Sequence, residues 1–300
     1  MDDKMKYHIE STLTNEEGNF KRLPSEFFYD KIQLENYSFD REDGNPIICA
    51  QYDYDLDLSG FIKTVQCKKP DLLIRMLTLK GKLPDDLFKN IELVRFTDAY
   101  LDDASIHLII EWCKKNGYPF RPPAEYWKAS KSRILPSLQP PKKIEFKVAD
   151  FIEKLNEIYD LFLIYQVMTG RSSPEDLTES VLLNAEGTSR EYKRLQDMDV
   201  EECKDLFEKK YQDITFTNRI SFKGGVHLEV KTNDLFDAAL YQLAILLNES
   251  ERGIGICPLC HQYFERKHAR QKYCNPKTCY PQKAYKRKKL AERKKERLGQ

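Results

Sequence analysis

Four cysteines near the carboxyl end constrain this chain more than any other feature. They form two close pairs, Cys257 with Cys260 and Cys274 with Cys279, and thirteen residues separate the pairs. A Cys-x-x-Cys turn directs two sulfurs toward one point, and the intervening loop returns the chain so that two more sulfurs can join them. The four-residue gap within the second pair lies in the usual range for ligands. The spacing therefore predicts one structural Zn²⁺ ion held by four thiolates.

Two histidines near the pairs offer another ligand set. An imidazole nitrogen also binds zinc, so His261 or His268 in place of one cysteine is an open alternative, although four thiolates at suitable spacing favour the all-cysteine set. The other cysteines are scattered along the chain. In a reducing compartment we expect them to be small core residues rather than disulfide partners; they are Cys49, Cys67, Cys113 and Cys203.

The charge of the chain is divided unevenly. The formal net charge is +1, yet residues 261–300 contain 14 Lys+Arg and 3 Glu, whereas residues 1–260 contain 35 basic and 45 acidic residues. A basic tail on an acidic body is typical of proteins that bind nucleic acid or another polyanion. The residues expected to contact nucleic acid are Arg266, Lys267, Arg270, Lys272, Lys283, Lys286, Arg287, Lys288, Lys289 and Arg293.

The local sequence around the cysteines predicts a treble-clef-like module. An apolar run precedes Cys257 and indicates a strand that enters the first cysteine turn, and Lys272-Tyr273 resembles a short strand before Cys274. Asn275-Pro276 can begin a turn that opens a helix near Cys279. Residues 282–297 are good helix formers, so the module should end in a basic helix.

The body is predicted to be α+β and mainly helical, with one β-hairpin. We expect an amino-terminal α+β domain over 1–120, a proline-rich linker over 121–143, a helical domain over 144–250 and the zinc module over 251–300. Apolar periodicity predicts helices at 71–79, 103–115, 148–169 and 234–247, and strands at 47–54 and 61–67. Alternating residues around Gly224-Gly225 predict the hairpin, and residues 171–212 are expected to form short helices.

Several classes of protein are not expected. The charged residues 1–6 are unlike a secretory signal, and no apolar run approaches the length that spans a bilayer, so the sequence predicts a soluble, cytoplasmic protein without membrane contact. No phosphate loop, dinucleotide fingerprint, nucleophile elbow or His-Glu-x-x-His motif is present. Four thiolates around zinc leave no position for a reactive water. An enzyme is therefore not predicted.

The carboxyl-terminal residues resemble a known family. Cys257-x-x-Cys260, Tyr263-Phe264, Arg270, Tyr273-Cys274, Cys279 and the following Lys/Arg-rich segment are similar to the CGNR-type zinc finger at the carboxyl end of bacterial transcription regulators. This resemblance implies zinc binding by the four cysteines and DNA binding by the finger and its basic helix. The family's Cys-Gly-Asn-Arg motif is replaced by Cys279-Tyr280-Pro281-Gln282 in this chain. Contact with the DNA backbone is therefore expected in preference to sequence-specific contact with bases.

The sequence thus favours a zinc-dependent, DNA-binding transcription regulator. Two alternatives stay open. Phosphate attraction does not distinguish DNA from RNA, and tyrosines in the module, among them Tyr263 and Tyr273, are able to stack on unpaired RNA bases. The basic tail is also suited to an acidic protein partner, or to an intramolecular contact with the acidic body of the same chain.

Overall fold

The computed structural model of the protein describes residues 27–34, 36–42, 45–51, 62–67, 69–89, 101–122, 143–172, 180–186, 189–212, 217–221, 227–232, 234–247, 253–268, 270–275, 279 and 289. The chain divides into two compact units. Residues Met1–Asn248 form the first, called the body, and residues Glu249–Gln300 form the second, called the C-terminal unit.

The helices of the body are built around one long, buried helix. Within the described residues the body contains α1 (Asp71–Lys80), α2 (Asp86–Lys89), α3 (Asp103–Asn116), α4 (Val148–Met168), α5 (Val200–Gln212) and α6 (Leu235–Leu247). Helix α4 packs against α1, α5 and α6, and Phe151, Ile152 and Leu155 on it are completely buried. The four helices predicted from apolar periodicity are therefore confirmed, with ends that differ by at most one residue.

Nine strands form three small sheets in the described part of the body. They are β1 (Phe27–Ile32), β2 (Asn36–Glu42), β3 (Asn45–Gln51), β4 (Ile62–Gln66), β5 (Lys143–Lys147), β6 (Ser180–Glu186), β7 (Ser189–Arg194), β8 (Thr217–Ser221) and β9 (His227–Thr232). The sheet orders are β4-β1-β9-β8, β2-β3-β5 and β6-β7. Strand β1 runs parallel to β9, and the other pairs are antiparallel. The α+β class is confirmed, and so is the predicted hairpin, which β8 and β9 form.

Strands from both sides of the predicted linker share sheets. Strand β5, which begins at the last residue of the predicted linker, pairs with β3, and β9 pairs with β1. Residues 123–142 of the linker lie outside the described residues. The prediction of short helices in 171–212 is wrong for the described residues Ser180–Glu186 and Ser189–Arg194, where β6 and β7 form a hairpin before α5. Polar composition alone did not separate a two-stranded ribbon from a polar helix.

Both ends of α3 carry a residue suited to ending a helix. The carboxylate of Asp102 accepts a hydrogen bond of 3.0 Å from the backbone N–H of Ser105, which satisfies a donor of the first turn. The helix ends at Gly117, whose φ of +101° is one that side chains with a Cβ rarely adopt. A Cβ there would also lie 2.8 Å from the carbonyl oxygen of Ile32. Glycine is therefore required where α3 meets β1.

An aromatic cluster occupies the core between α3, α4 and α6. The ring of Phe151 lies 5.7 Å from Trp112, 5.4 Å from Phe236 and 5.9 Å from Phe146, measured between centroids. Phe120 joins the cluster 5.4 Å from Phe236. Tilted and edge-on pairs at these separations are favourable beyond the area they bury. The cluster packs α4 against α3 and α6.

The residue that precedes helix α1 provides no side-chain cap for its amino end. The residue before it is Pro70, which provides no side-chain hydrogen bond. Instead, the side-chain oxygen of Gln242 on α6 accepts a hydrogen bond of 2.9 Å from the backbone N–H of Leu73. The amide nitrogen of Gln242 lies 3.4 Å from Asp71 Oδ1. A distant buried side chain thus performs the capping role that local sequence usually supplies.

Among the described residues, no helix combines the length and apolar character needed to cross a lipid bilayer. The cytoplasmic location stays a prediction.

Candidate metal centre

A short hairpin carries the first cysteine pair in the C-terminal unit. Strands β10 (Gly253–Ile256) and β11 (Tyr263–Arg266) are antiparallel, with Gly255 opposite Phe264 and Ile256 opposite Tyr263. Ile254 is completely buried and Phe264 nearly so. The predicted strand before Cys257 is therefore present, and these two side chains form an apolar support for a unit too small to rely on its core alone.

The side chain of Arg266 lies over the backbone of the neighbouring strand. A Cβ added to Gly255 would overlap Arg266 Nε, and this nitrogen is buried. Glycine in a strand permits such a close approach because no side chain rises from it. Arg266 is therefore a partly buried cation, held against the hairpin rather than extended from a loop.

The turn after β10 directs backbone N–H groups at the first cysteine. The N–H groups of Cys274, Leu259 and Cys260 hydrogen-bond to Cys257 Sγ. Cys257 is completely buried. Donors that converge on a sulfur favour the thiolate, which is the form that binds metal. The peptide groups of this turn thus prepare Cys257 as a ligand.

The turn closes through two further backbone hydrogen bonds. The N–H of His261 donates to the carbonyl of Cys257 at 2.8 Å, and the N–H of Cys257 donates to the carbonyl of Gln262 at 3.0 Å. His261 has a φ of +54°, in the left-handed region that costs a non-glycine residue free energy. This backbone conformation turns the chain from the cysteine pair into β11.

All four cysteine sulfurs meet at one point. The Sγ atoms of Cys257, Cys260, Cys274 and Cys279 lie within 4.8 Å of one another. Cys260 Sγ and Cys279 Sγ are each 3.5 Å from Cys274 Sγ. Tetrahedral zinc with bonds of about 2.3 Å requires sulfurs about 3.8 Å apart. The donor set and its dimensions therefore fit a single tetrahedral ion, with small adjustments of the sulfurs.

The acidities of the thiols show why this cluster needs a cation. Although burial raises the pKa of Cys257, the N–H donors of Cys274, Leu259 and Cys260 outweigh it and lower the pKa to about 6. The pKa of Cys274 is raised far above its ordinary value by burial and by the three neighbouring sulfurs. One thiolate forms readily, but four crowded thiolates are stable only with a positive charge between them.

A glutamine side chain organises the loop between the cysteine pairs. Gln271 Oε1 accepts a hydrogen bond of 2.9 Å from the N–H of Lys267, and Gln271 Nε2 donates to the carbonyl of Tyr273 at 3.1 Å. Beyond the loop, the N–H of Cys279 donates to the carbonyl of Asn275 at 2.8 Å. Gln271 was not identified from the sequence, because a glutamine in a polar loop carries no distinguishing pattern.

The histidines do not join the sulfurs. Within the described part of the chain, the cluster of potential ligands at this point consists of the four cysteines, and neither His261 nor His268 belongs to it. The structure therefore favours the all-cysteine alternative. The remaining cysteines are buried, as expected for core residues. Burial raises the pKa of the Cys67 thiol to about 12 and that of Cys203 to about 11, so both stay protonated.

The predicted nucleic-acid contacts fall into two groups. Lys267, Arg270 and Lys272 are exposed in the loop between the cysteine pairs, and Arg266 is partly buried beside them. Lys289 is exposed and helical. The other predicted contacts lie outside the described residues: Lys283, Lys286, Arg287, Lys288 and Arg293. The loop group therefore has a defined geometry, whereas the predicted basic helix stays a prediction.

No family model, no curated protein and no solved structure matches this chain. The resemblance to CGNR-type fingers therefore stays a prediction that rests on the residues quoted for it.

Proposed function

We propose that this protein binds nucleic acid through a zinc-stabilised C-terminal unit and acts as a DNA-binding transcription regulator. The observation that carries the proposal is the meeting of four cysteine sulfurs beside a loop of cations. Once the sulfurs are joined by one ion, the loop between the pairs has fixed ends. The positive charges of this loop are then held in a fixed arrangement when a partner binds.

The chemistry of the ligands supports zinc as the ion. Thiolates are soft ligands, and a tetrahedral set of four selects zinc or iron over magnesium and calcium. Zinc has no redox chemistry and suits a site whose role is to hold the fold. Cys257, whose pKa is lowered to about 6, is the thiol most easily ionised for metal binding. The remaining sulfurs would ionise as the ion binds, because the ion compensates the charge that their ionisation creates.

The charges of the loop support a polyanionic partner. Residues 261–274 contain four cations, and Glu265 is their single carboxylate. Lys267, Arg270 and Lys272 are exposed. Cations in such a position bind phosphates and release condensed counterions, so affinity should fall steeply with salt. The basic sequence from Lys283 to Arg297 extends the same charge.

The test compares metal content and DNA retention in matched variants. Cys257→Ser combined with Cys274→Ser should remove zinc and abolish retention of duplex DNA in a mobility-shift titration. Cys49→Ala combined with Cys203→Ala alters two buried cysteines outside the cluster and should keep both properties. Binding by the metal-free variant at wild-type strength would contradict the proposal.

Competition separates the possible targets. Duplex DNA should displace a labelled DNA probe better than single-stranded RNA of equal length. If RNA competes better, the protein is an RNA-binding protein. If neither is bound while zinc is present, the basic surface serves an acidic protein or the body of the chain, and the nucleic-acid proposal is wrong.

A further inference from the structure

Two large apolar side chains are exposed at the first cysteine pair. Ile256 is 49% exposed and Leu259 is 44% exposed. Within the described residues, Leu108 and Val200 of the body are the other exposed large hydrophobic residues. Two of the four thus lie within four positions of each other in the smaller unit. Ile256 and Leu259 are called the apolar tip.

The metal site itself keeps the apolar tip in solvent. The N–H groups of Leu259 and Cys260 point at Cys257 Sγ, so the inner side of the turn is occupied by backbone and the Leu259 side chain is left outside. Ile256 shares a strand face with Ile254, two residues earlier. Ile254 is completely buried, and this face reaches solvent at Ile256.

Cations lie close to the apolar tip. Ile256 pairs with Tyr263, three residues before Arg266 on β11, which corresponds to about 10 Å along the strand. Cys260, next to Leu259 in the chain, has its Sγ 3.5 Å from Cys274 Sγ, and the exposed Lys272 lies two residues before Cys274. The surface of the C-terminal unit therefore combines the apolar tip with nearby positive charges.

Nucleic acid matches this combination. Phosphates carry negative charge on the outside of the strand, whereas thymine methyl groups and base faces are apolar and lie behind them. Isoleucine and leucine are among the side chains that contact bases or wedge between base steps in protein–DNA complexes. We propose that the apolar tip contacts bases while the loop cations contact phosphates. This inference rests on the proposed nucleic-acid binding and assigns its base contacts to Ile256 and Leu259.

Salt dependence distinguishes the two kinds of contact. Ile256→Ser and Leu259→Ser should each raise the Kd for duplex DNA about ten-fold, because each removes apolar surface that binding buries. The slope of log K against log salt should equal that of the wild type. Lys272→Ala should instead reduce the steepness of the slope by about 0.9, the value for one lost phosphate contact.

Matched variants in the body control for general effects of the substitution. Leu108→Ser and Val200→Ser remove side chains of similar exposure, 37% and 44%, and should leave the Kd unchanged. Zinc content is measured for every variant. If a serine variant of the apolar tip has lost zinc, Leu259→Trp takes its place in the comparison, because this substitution keeps an apolar side chain at the apolar tip. Its added tryptophan fluorescence should be quenched by DNA.

The outcomes separate this inference from the proposed function. Weaker binding with an unchanged slope, together with quenching of the added tryptophan in Leu259→Trp, supports base contact by the apolar tip. If the zinc-loaded tip variants bind DNA as the wild type does, or DNA leaves the added tryptophan unquenched, the inference is overturned and the proposed function stands. If the zinc-loaded wild type binds no nucleic acid, both are overturned. The apolar tip then belongs to a protein interface.

Discussion

The side-chain oxygen of Gln242 on α6 accepts a hydrogen bond from the backbone N–H of Leu73 in the first turn of α1. Both residues are buried, and about 170 residues of chain separate them. Because Pro70 provides no cap, this contact both satisfies the start of one helix and ties it to another. The stability of the body should depend on it.

Replacement of Gln242 by methionine should lower the free energy of unfolding by about 1–3 kcal/mol, since the N–H of Leu73 would be left buried without its acceptor. The measurement is a urea unfolding curve with an unchanged m value. Gln196→Met is the control, because Gln196 is exposed in the short 3₁₀ helix Leu195–Asp197. Equal losses in the two variants would show that the capping contact contributes nothing.

Two glycines with positive φ provide a second matched comparison. Gly117→Ala should destabilise the body by more than the roughly 1–2 kcal/mol of left-handed strain, because its Cβ would press on the carbonyl of Ile32. Gly170 has a φ of +61° with no neighbour within 4 Å of an added Cβ, so Gly170→Ala should cost the strain alone. Thermal unfolding of both variants would measure the difference. A Gly170→Ala loss as large as that of Gly117→Ala would contradict the close approach of β1 to α3.

A carboxylate between two lysines should make the body sensitive to acid. Burial alone would raise the pKa of Glu157, but Lys154 at 2.9 Å and Lys210 at 2.8 Å hold it below its ordinary value. A lowered folded-state pKa contributes stability above the unfolded-state value of about 4.3, and this contribution is lost as the pH falls through the folded-state value.

Glu157→Gln should therefore unfold more easily than the wild type at pH 7, and the two curves should converge at pH values below about 4. Unfolding free energies measured across this range test the expectation. The control is Glu111→Gln, which removes a solvent-exposed partner of Lys114 and should have little effect at any pH. A difference for Glu157→Gln that persists in acid would mean that its charge is not the cause.

Removal of the metal should unfold the C-terminal unit without unfolding the body. A strong chelator should raise amide hydrogen exchange across 253–275, because the sulfurs would no longer hold the hairpin and loop together. Amides of α4 should stay protected, since its buried side chains belong to the body. If 253–275 stays protected after complete removal of the ion, then Ile254 and Phe264 stabilise the unit by themselves.

The sequence was most informative where the signal is local. The apolar period of α3 and the capping residues at both of its ends lie within sixteen positions. The spacing of the cysteines predicted that the four sulfurs would meet, and this prediction did not depend on the rest of the chain. Contacts between distant segments were not predictable in this way. Gln242 resembles any other glutamine in a helix, and its partner Leu73 is identified only when α1 and α6 pack.

The same limit applies within the site. The sequence marked Arg266 as one cation among many, whereas its burial over Gly255 depends on the register of β10 and β11. Gln271 was missed because its hydrogen bonds to Lys267 and Tyr273 arise from the path of the loop. The β6/β7 hairpin was missed because β6 carries one short continuous apolar run, Val181-Leu182-Leu183, and β7 is polar, so neither strand shows apolar alternation.

The parallel pairing of β1 with β9 has a consequence for synthesis of the protein. Phe27 stands beside Val230, about 200 residues later in the chain. During translation the first strand can meet β4 early, but its other edge has no partner until nearly all of the body has left the ribosome. Closure of this sheet is thus a late event with a large entropic cost, and a nascent chain arrested before β9 would expose an edge to which other chains could add.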